Sequence, residues 1–198
     1  MLQKMGKIFC IMGKSGSGKD TIFKALISDK SLSLKPVTIY TTRPKRRGET
    51  DGTEYYFIDE KQLELLQTLG KIIELRQYHT VHGIWYYCTV DDGQFNSSDN
   101  HLLICTLEAY NNINKYFGAD LVVPIYIHVD DGKRLQRALS RELSQQTPQF
   151  EEMCRRFLAD SEDFSEQKLK EAAITQYLNN DDLNDCVTET RKLIMSQI

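Results

Sequence analysis

The feature that most constrains this chain is a glycine-rich loop between a strand-like and a helix-like segment. Residues Gly13 to Lys19 read G-K-S-G-S-G-K, which is the G-x-x-x-x-G-K spacing of a phosphate-binding loop. An apolar run at residues 8–12 precedes the loop, and a helix-prone run at residues 22–27 follows it. A strand, a glycine loop and a helix in this order favour an α/β fold that binds a nucleoside triphosphate.

Each part of this loop has a physical role in binding a polyphosphate. Glycines let the chain wrap tightly, so that successive backbone N–H groups face one anion. The following helix adds the positive end of its dipole, and the ammonium of Lys19 reaches the β- and γ-phosphates. The expected ATP-binding residues are Gly13, Lys14, Ser15, Gly16, Ser17, Gly18, Lys19, Asp20 and Thr21. The alternative interpretation is a glycine-rich turn that binds nothing.

One position departs from the usual motif. The residue after the lysine is normally Ser or Thr, whose hydroxyl ligates Mg²⁺, whereas this chain has Asp20 followed by Thr21. A carboxylate can ligate this hard cation, and without a metal it would repel the phosphates. Thr21 could supply the hydroxyl from one position later, so both residues are candidate ligands and the sequence does not choose between them.

Composition excludes several classes of protein. The 198 residues suffice for one compact domain, and 40% hydrophobic and 27% charged residues are ordinary for a globular chain. The net charge of −3 argues against general nucleic-acid binding. We find neither the ~20-residue apolar stretch of a membrane span nor a signal region, so we expect no membrane partner.

The cysteines indicate a reducing compartment. They are odd in number, scattered and without C-x-x-C spacing, which disfavours a disulfide scaffold or a zinc site. The five are Cys10, Cys88, Cys105, Cys154 and Cys186. We therefore expect a cytoplasmic protein with reduced thiols.

Strand-like and helix-like segments alternate along most of the chain, which predicts a parallel sheet with crossover helices. Predicted strands are 7–12, 37–41, 54–58, 72–78, 85–90, 101–105, 121–129 and 172–178. Predicted helices are 19–28, 60–69 (capped by Asp59), 107–117, 133–143, 151–164 and 182–195. Strands 72–78 and 85–90 are joined around His82 and Gly83. Residues 37–90 interrupt the alternation and indicate an inserted subdomain, and residues 144–149 form a polar break.

Two longer motifs carry a family resemblance. Residues 41–49 read T-T-R-P-K-R-R-G-E, ending Arg46-Arg47-Gly48-Glu49, and residues 51–55 read D-G-T-E-Y. Residues 180–183 read N-D-D-L. In these elements, and in their order along nearly the whole chain, the sequence resembles the guanylate kinase family.

The resemblance implies a three-layer P-loop fold of the α/β class. A central parallel sheet would carry an inserted nucleoside-monophosphate-binding subdomain and a helical lid. The implied division of the single domain 1–198 is a core at 1–36, 91–130 and 165–198, an acceptor-binding insert at about 37–90, and a lid at about 131–164. The implied activity is phosphoryl transfer from ATP, with Mg²⁺, to GMP or dGMP. The sequence gives no indication of the oligomeric state.

The resemblance assigns an acceptor site to the insert. Arg43, Arg46 and Tyr55 would hold the acceptor phosphate, because arginine forks match phosphate oxygens in pairs. The alternative is a solvated basic loop. Glu74 would read guanine, since a carboxylate accepts hydrogen bonds from both N1–H and the 2-amino group. The alternative for Glu74 is a solvent-facing strand residue.

Two further residues of the insert and several outside it complete the implied site. Tyr87 would contact the acceptor phosphate and Thr89 the base. The lid arginines Arg137, Arg141 and Arg156 would act with Lys19 in catalysis by neutralising charge on the transferred group. Their alternative is a helix surface with local ion pairs. Asn180 would lie near the adenine of ATP.

Some positions differ from the family's pattern. Ile39 stands where the family places a serine against guanine, and Ile104 and Thr106 stand where it carries two acids, although Glu108 could compensate. Three hypotheses therefore remain open from the sequence: an ATP:GMP phosphotransferase, a related kinase for another small phosphorylated acceptor, and a nucleotide-binding or interaction module with little catalysis.

Overall fold

The computed structural model describes residues 6–46, 48–80, 83–96 and 98–198. Arg47 and His82, named above, lie outside these ranges. In chain order the elements are β1 (Ile8–Met12), α1 (Lys19–Ser28), a 3₁₀ turn (Lys30–Leu32), β2 (Leu34–Pro36), β3 (Tyr40–Thr41), β4 (Tyr56–Phe57), α2 (Glu60–Thr68), β5 (Ile72–Thr80), β6 (Gly83–Val90), β7 (Asn100–Ile104), α3 (Leu107–Phe117), β8 (Val122–His128), α4 (Asp131–Leu143), α5 (Phe150–Asp163), α6 (Glu166–Glu171), β9 (Leu178–Asn179) and α7 (Leu183–Met195).

A parallel sheet in the order β2-β7-β1-β8-β9 forms the centre of the protein. Every residue of β1 is buried, as expected for a strand covered on both faces. Phe9 and Ile11 pack with α1 and α7 on one face, whereas Cys10 and Met12 pack with α3 on the other. The predicted α/β class with a central parallel sheet in three layers is confirmed.

A second sheet, in the order β4-β3-β6-β5, forms the insert. Its β5–β6 and β3–β6 pairs are antiparallel. As in any β-strand, successive side chains point to opposite faces of the sheet. Leu75 and Cys88 pack toward Leu63 of α2 in an apolar cluster. The opposite face carries polar and aromatic side chains, including Glu74, Arg76, Tyr87 and Thr89, so this face is the one available for polar chemistry.

An irregularity in β5 joins this sheet to the core. Ile72 pairs with Val90, and Glu74 pairs with Thr89, so Ile73 is an extra residue in its strand. Ile73 belongs to the core cluster, whereas Ile72 packs in the insert's own cluster. The extra residue thus anchors the insert and sets the face on which Glu74 lies.

Two strand predictions were wrong in their bounds. Residues 37–41 do not form one strand, because Val37 still donates to Leu102 of β7 while Thr38 bonds the Gln94 side chain. The chain therefore leaves the central sheet, where the unpredicted β2 lies, and enters the insert only at Tyr40. Similarly, only Tyr56–Phe57 (β4) of the predicted strand 54–58 form a strand.

The predicted last strand, 172–178, was also misplaced. Residues 166–171 form the unpredicted helix α6, and Ala173 adopts a left-handed conformation at φ 55° just after it. The Ile174 N–H then donates to Leu169 O, which closes the helix end. The strand itself is Leu178–Asn179, because the apolar residues before it are used by this turn.

No helix in the described ranges is long and apolar enough to cross a membrane.

The N-terminus of α2 offers a test of local stability. Asp59 accepts from the Gln62 N–H at 2.8 Å, and the Gln62 side chain accepts from the Asp59 N–H at 2.9 Å, as a reciprocal cap. Asp59→Ala should lower the free energy of unfolding by ~1 kcal/mol in urea denaturation. Lys61→Ala, an exposed change in the same turn, is the control; equal midpoints for the two variants would contradict the role of the cap.

Candidate nucleotide-binding site

The glycine loop connects β1 to α1, and its carbonyl groups are bonded from outside the loop. Arg134 Nη1 donates to Ser15 O at 2.8 Å, Arg137 Nη1 to Gly16 O at 3.4 Å, and Asn180 Nδ2 to Ser17 O at 2.7 Å. Buried backbone carbonyls need such partners. Because side chains satisfy the carbonyls, the loop's N–H groups can face an anion on the inner side, except those of Ser15 and Ser17, which bond Asp160 Oδ2 and Lys14 O.

Close packing explains the glycines of this loop. Gly18 adopts the left-handed conformation at φ 85°, and a Cβ there would collide with Asn180 Nδ2. Gly16, at φ 82°, would bring a Cβ to 3.1 Å from Arg134 O. Neither position accepts a side chain without displacing a group that holds the loop.

Arg134 and Asp160 were not predicted from the sequence, yet they tie α4 and α5 to the loop. Arg134 is fully buried, donates from Nε and Nη2 to Asp131 Oδ1 at 3.0 and 2.9 Å, and lies 4.5 Å from the Phe157 ring centroid. Asp160 Oδ2 accepts from the Ser15 N–H at 2.7 Å and lies 3.7 Å from Arg134 Nη1. In sequence both residues look like ordinary charged positions on helix surfaces, so no local signal identifies them.

The predicted lid arginines occupy different environments. Arg137 bonds Gly16 O and, from Nη2, Asn180 O at 3.0 Å, so it lies directly against the loop. Arg156 pairs with Glu152 one turn earlier at 3.2 Å, and Arg141 is exposed on α4. The local ion pair of Arg156 matches the helix-surface alternative in this conformation of the lid.

The residues expected to bind Mg²⁺ start α1. Lys19 is its first residue and half-buried, while Asp20 and Thr21 are exposed in the first turn. No cluster of three or more His, Cys, Asp or Glu side chains suitable for a metal occurs among the described residues. One carboxylate and one hydroxyl suit Mg²⁺, a cation that usually keeps waters and binds substrate phosphates. The donors present therefore fit this ion.

Arg43, expected to hold the acceptor phosphate, is buried and already paired. Its Nη1 and Nη2 donate to the two carboxylate oxygens of Glu49 at 3.0 and 2.8 Å, and its guanidinium lies 5.2 Å from the Tyr55 ring centroid. Burial opposes the charge of Arg43, but the hydrogen bonds and charges of Glu49 and Tyr87 together outweigh it and raise the pKa of Arg43. Arg46 is exposed, and only its backbone N–H bonds Glu49.

Aromatic side chains cluster on the polar face of the insert. Tyr55 lies edge-on to Tyr87 with ring centroids 5.7 Å apart, and Tyr78 lies 5.5 Å from Tyr87 on the other side. Burial raises the pKa of the Tyr55 phenol, and the charge of Asp20 acts in the same direction while Arg43 opposes it. The Asp20 carboxylate at the loop thus acts electrostatically on a tyrosine of the insert.

Glu74 is buried, so the solvent-facing alternative is wrong. Its side chain is 0% exposed and forms an ion pair with Arg76, which sequence reasoning did not select. Thr89 Oγ1 donates to Glu74 Oε1 at 2.7 Å, and Arg76 Nη1 donates to Thr106 Oγ1 at 3.2 Å. Because Thr106 follows β7, this network joins the insert to the carboxyl edge of the central sheet. The candidate base-reading acid is therefore part of a network of four side chains.

The fold and this site define a class. A phosphate-binding loop at the carboxyl end of β1, beside a second sheet with arginines and tyrosines, is typical of P-loop phosphotransferases. The guanylate kinase family model matches residues 5–197. The chain therefore belongs to the guanylate kinase family.

Individual relatives agree with this assignment. A guanylate kinase of Mesomycoplasma hyopneumoniae strain J is 29% identical over 205 residues, which cover 100% of this chain and 98% of the relative. A guanylate kinase of Rhodopseudomonas palustris strain HaA2 is 36% identical over 73 residues, 37% of this chain and 33% of the relative. The crystal structure of guanylate kinase from Anaplasma phagocytophilum has the same fold, with a TM-score of 0.66, 21% identity, and coverage of 100% of this chain and 88% of that chain.

The packing of Gly18 predicts a large effect of one methyl group. Gly18→Ala should weaken ATP binding and lower the melting temperature, because the new Cβ collides with Asn180. Gly70→Ala is the control, since Gly70 also has a positive φ, 66°, but no neighbouring atom within 4 Å of the added Cβ. Calorimetry of both variants with and without ATP measures the difference. Equal losses would show that backbone strain alone, and not the Asn180 contact, limits this position.

The Asp160 contact predicts that the lid stabilises the loop. Asp160→Ala leaves the Ser15 N–H without its partner, and Arg134 loses a neighbouring charge. We expect a loss of ~1–3 kcal/mol in the free energy of unfolding. Asp163→Ala, on the same helix and paired with Lys168 at 3.8 Å, should change stability much less. Urea denaturation compares them, and similar stability of the two variants would contradict this role.

Proposed function

We propose that this chain transfers the γ-phosphoryl group of ATP to GMP or dGMP, giving ADP and GDP or dGDP. Family membership supports the reaction. The observation that carries it in this structure is the proximity of two sites: the glycine loop, and an insert face with Arg43, Tyr55 and Tyr87. The Asp20 charge acting on Tyr55, and the Arg76–Thr106 bond, support their adjacency.

The donor side of the proposed site is built on the loop. Residues 13–19 would bind the phosphates of ATP through backbone N–H groups and the Lys19 ammonium. Asp20 and Thr21 would hold Mg²⁺, which when bound neutralises charge on the phosphates. Asn180 would contribute indirectly, since its amide already supports Ser17 O.

The acceptor side depends on the insert. Arg43, held by Glu49 and stacked on Tyr55, would present the remaining edge of its guanidinium to the acceptor phosphate. Arg46 is exposed and could move to the same phosphate, and Tyr55 and Tyr87 supply phenol groups beside it. Such fixed donors lower the entropic cost of aligning the two phosphates.

The proposed transfer requires no general base. An oxygen of the acceptor phosphate, already an anion, forms a bond to the γ-phosphorus of ATP. The bond from that phosphorus to the β–γ bridging oxygen breaks, and ADP leaves with its electron pair. The negative charge on the transferred phosphoryl group would be stabilised by Lys19 and Arg137, and by Arg141 and Arg156 after closure of the lid. The closed site would also exclude water.

The cysteines support a location for this activity. All five are free, and four of them are buried. Unpaired buried thiols suit a reducing compartment, and we propose that the protein is cytoplasmic.

Replacing the loop lysine tests the mechanism. Lys19→Ala should reduce kcat for ADP formation by ~10²-fold or more, because a positive charge at the transferred group is lost. Lys24→Ala, an exposed change on the same helix, should retain wild-type turnover and the same melting temperature. Wild-type turnover by Lys19→Ala would refute the mechanism.

Substrate identity needs a separate measurement. ADP release from ATP and Mg²⁺ is followed with each nucleoside monophosphate, and with no acceptor. We expect rapid release with GMP and dGMP and slow release with AMP. ATP binding without release in the presence of any acceptor would instead favour a binding module.

A further inference from the structure

The carboxylate of Glu74 is largely occupied by neighbouring donors. Its Oε2 accepts from Arg76 Nε at 2.8 Å, and its Oε1 accepts from Arg76 Nη2 at 3.1 Å and from Thr89 Oγ1 at 2.7 Å. A carboxylate has about four acceptor positions, two on each oxygen. Both positions of Oε1 are therefore filled, and one position of Oε2 remains.

Arg76 retains one donor that its neighbours do not use. A guanidinium has five N–H groups. Nε and one N–H of Nη2 bond Glu74, and one N–H of Nη1 bonds Thr106. Of the two N–H groups that remain on the terminal nitrogens, one bonds the phenol of Tyr78, and one is left for a ligand. The buried pair thus combines one free acceptor with one adjacent free donor.

This combination matches one particular base edge. Guanine has two donors next to each other, N1–H and the 2-amino group, and one acceptor, O6. A free carboxylate could accept from both donors, but Glu74 has room for one. The remaining acceptor position suits N1–H, and a free N–H of Arg76 suits O6. Adenine offers the reverse order, with an amine at C6 and an acceptor at N1.

We propose that Arg76 is a specificity-determining residue that reads the O6 atom of a 6-oxopurine while Glu74 accepts only from N1–H. The 2-amino group is then not required, and inosine monophosphate, which is GMP without that group, is also a substrate. This inference rests on the proposed function and concerns the same acceptor site.

Three further observations favour a base over a phosphate as the partner of Arg76. Its charge is balanced by Glu74 at 2.8 Å, so the pair offers little net attraction for a dianion. Arg43, Arg46 and Tyr55 already provide cationic and phenolic groups for the phosphate. In addition, Ile39 has no side-chain donor for O6, so the donor must come from another residue.

The first test compares substrates on the wild-type enzyme. We expect kcat/KM for inosine monophosphate within ~10-fold of that for GMP, and AMP at least ~100-fold below both. A carboxylate bond to the 2-amino group would be worth ~10- to 100-fold. Inosine monophosphate ~100-fold poorer than GMP would overturn the inference while leaving the proposed function intact. No transfer to GMP or to inosine monophosphate would overturn the proposed function itself, and the inference with it.

The second test changes the occupancy of Glu74. Thr89→Val keeps the shape of the side chain and frees a position on Oε1, so that Glu74 could accept from both guanine donors. The preference for GMP over inosine monophosphate should then rise by ~10-fold. An unchanged preference in the folded variant would contradict the inference that Glu74 occupancy sets selectivity.

The third test addresses Arg76 itself. Arg76→Lys keeps the charge opposite Glu74 but cannot bond both oxygens and reach O6. Turnover of GMP and inosine monophosphate should fall together by ~10- to 100-fold, with AMP affected less. Gln77→Ala, next in β5 but exposed on the opposite face, is the control and should leave all three ratios unchanged. An equal loss for all three substrates, with the melting temperature retained, would overturn the role of Arg76.

Discussion

The structure depends on one requirement of the glycine loop: its carbonyls must be satisfied on the outer side if its N–H groups are to bind an anion. Arg134, Arg137 and Asn180 meet this requirement from α4 and from the segment after β9. These elements are far apart in sequence, so the loop can form only when the core and the base of the lid are assembled. Folding of the binding site is thereby coupled to folding of the domain.

Three buried arginines of the site are paired with carboxylates within the protein. Arg134 lies against Asp131 and Asp160, Arg43 against Glu49, and Arg76 against Glu74. Burying a single charge is very costly, whereas a buried pair with good hydrogen bonds is tolerated. The pairs hold the arginines in fixed positions, and fixed donors are what phosphoryl transfer requires. A ligand must then use the donor edges that these pairs leave free.

The two faces of the insert's sheet have different roles, because successive side chains of a strand point to opposite faces. One face of its sheet packs on α2 through apolar side chains, and the other bears Glu74, Arg76, Tyr87 and Thr89. The extra residue Ile73 joins this sheet to the core and fixes that orientation. A shift of one residue in register would exchange the two faces, so the proposed acceptor site depends on this single irregularity.

The sequence by itself determined the loop, the α/β class and most of the helices, because glycine spacing, apolar runs and caps such as Asp59 are local signals. It also identified the family resemblance, from motifs that are contiguous in the chain. It did not find β2, a three-residue strand held by its pairing with β7, or α6, a six-residue helix whose Leu169 packs against the core. Only the tertiary structure decided that Arg76 neutralises Glu74 and that Arg134 and Asp160 hold the loop. A charged side chain has the same local pattern whether it is solvated or buried, and its role is set by the partner that folding brings to it.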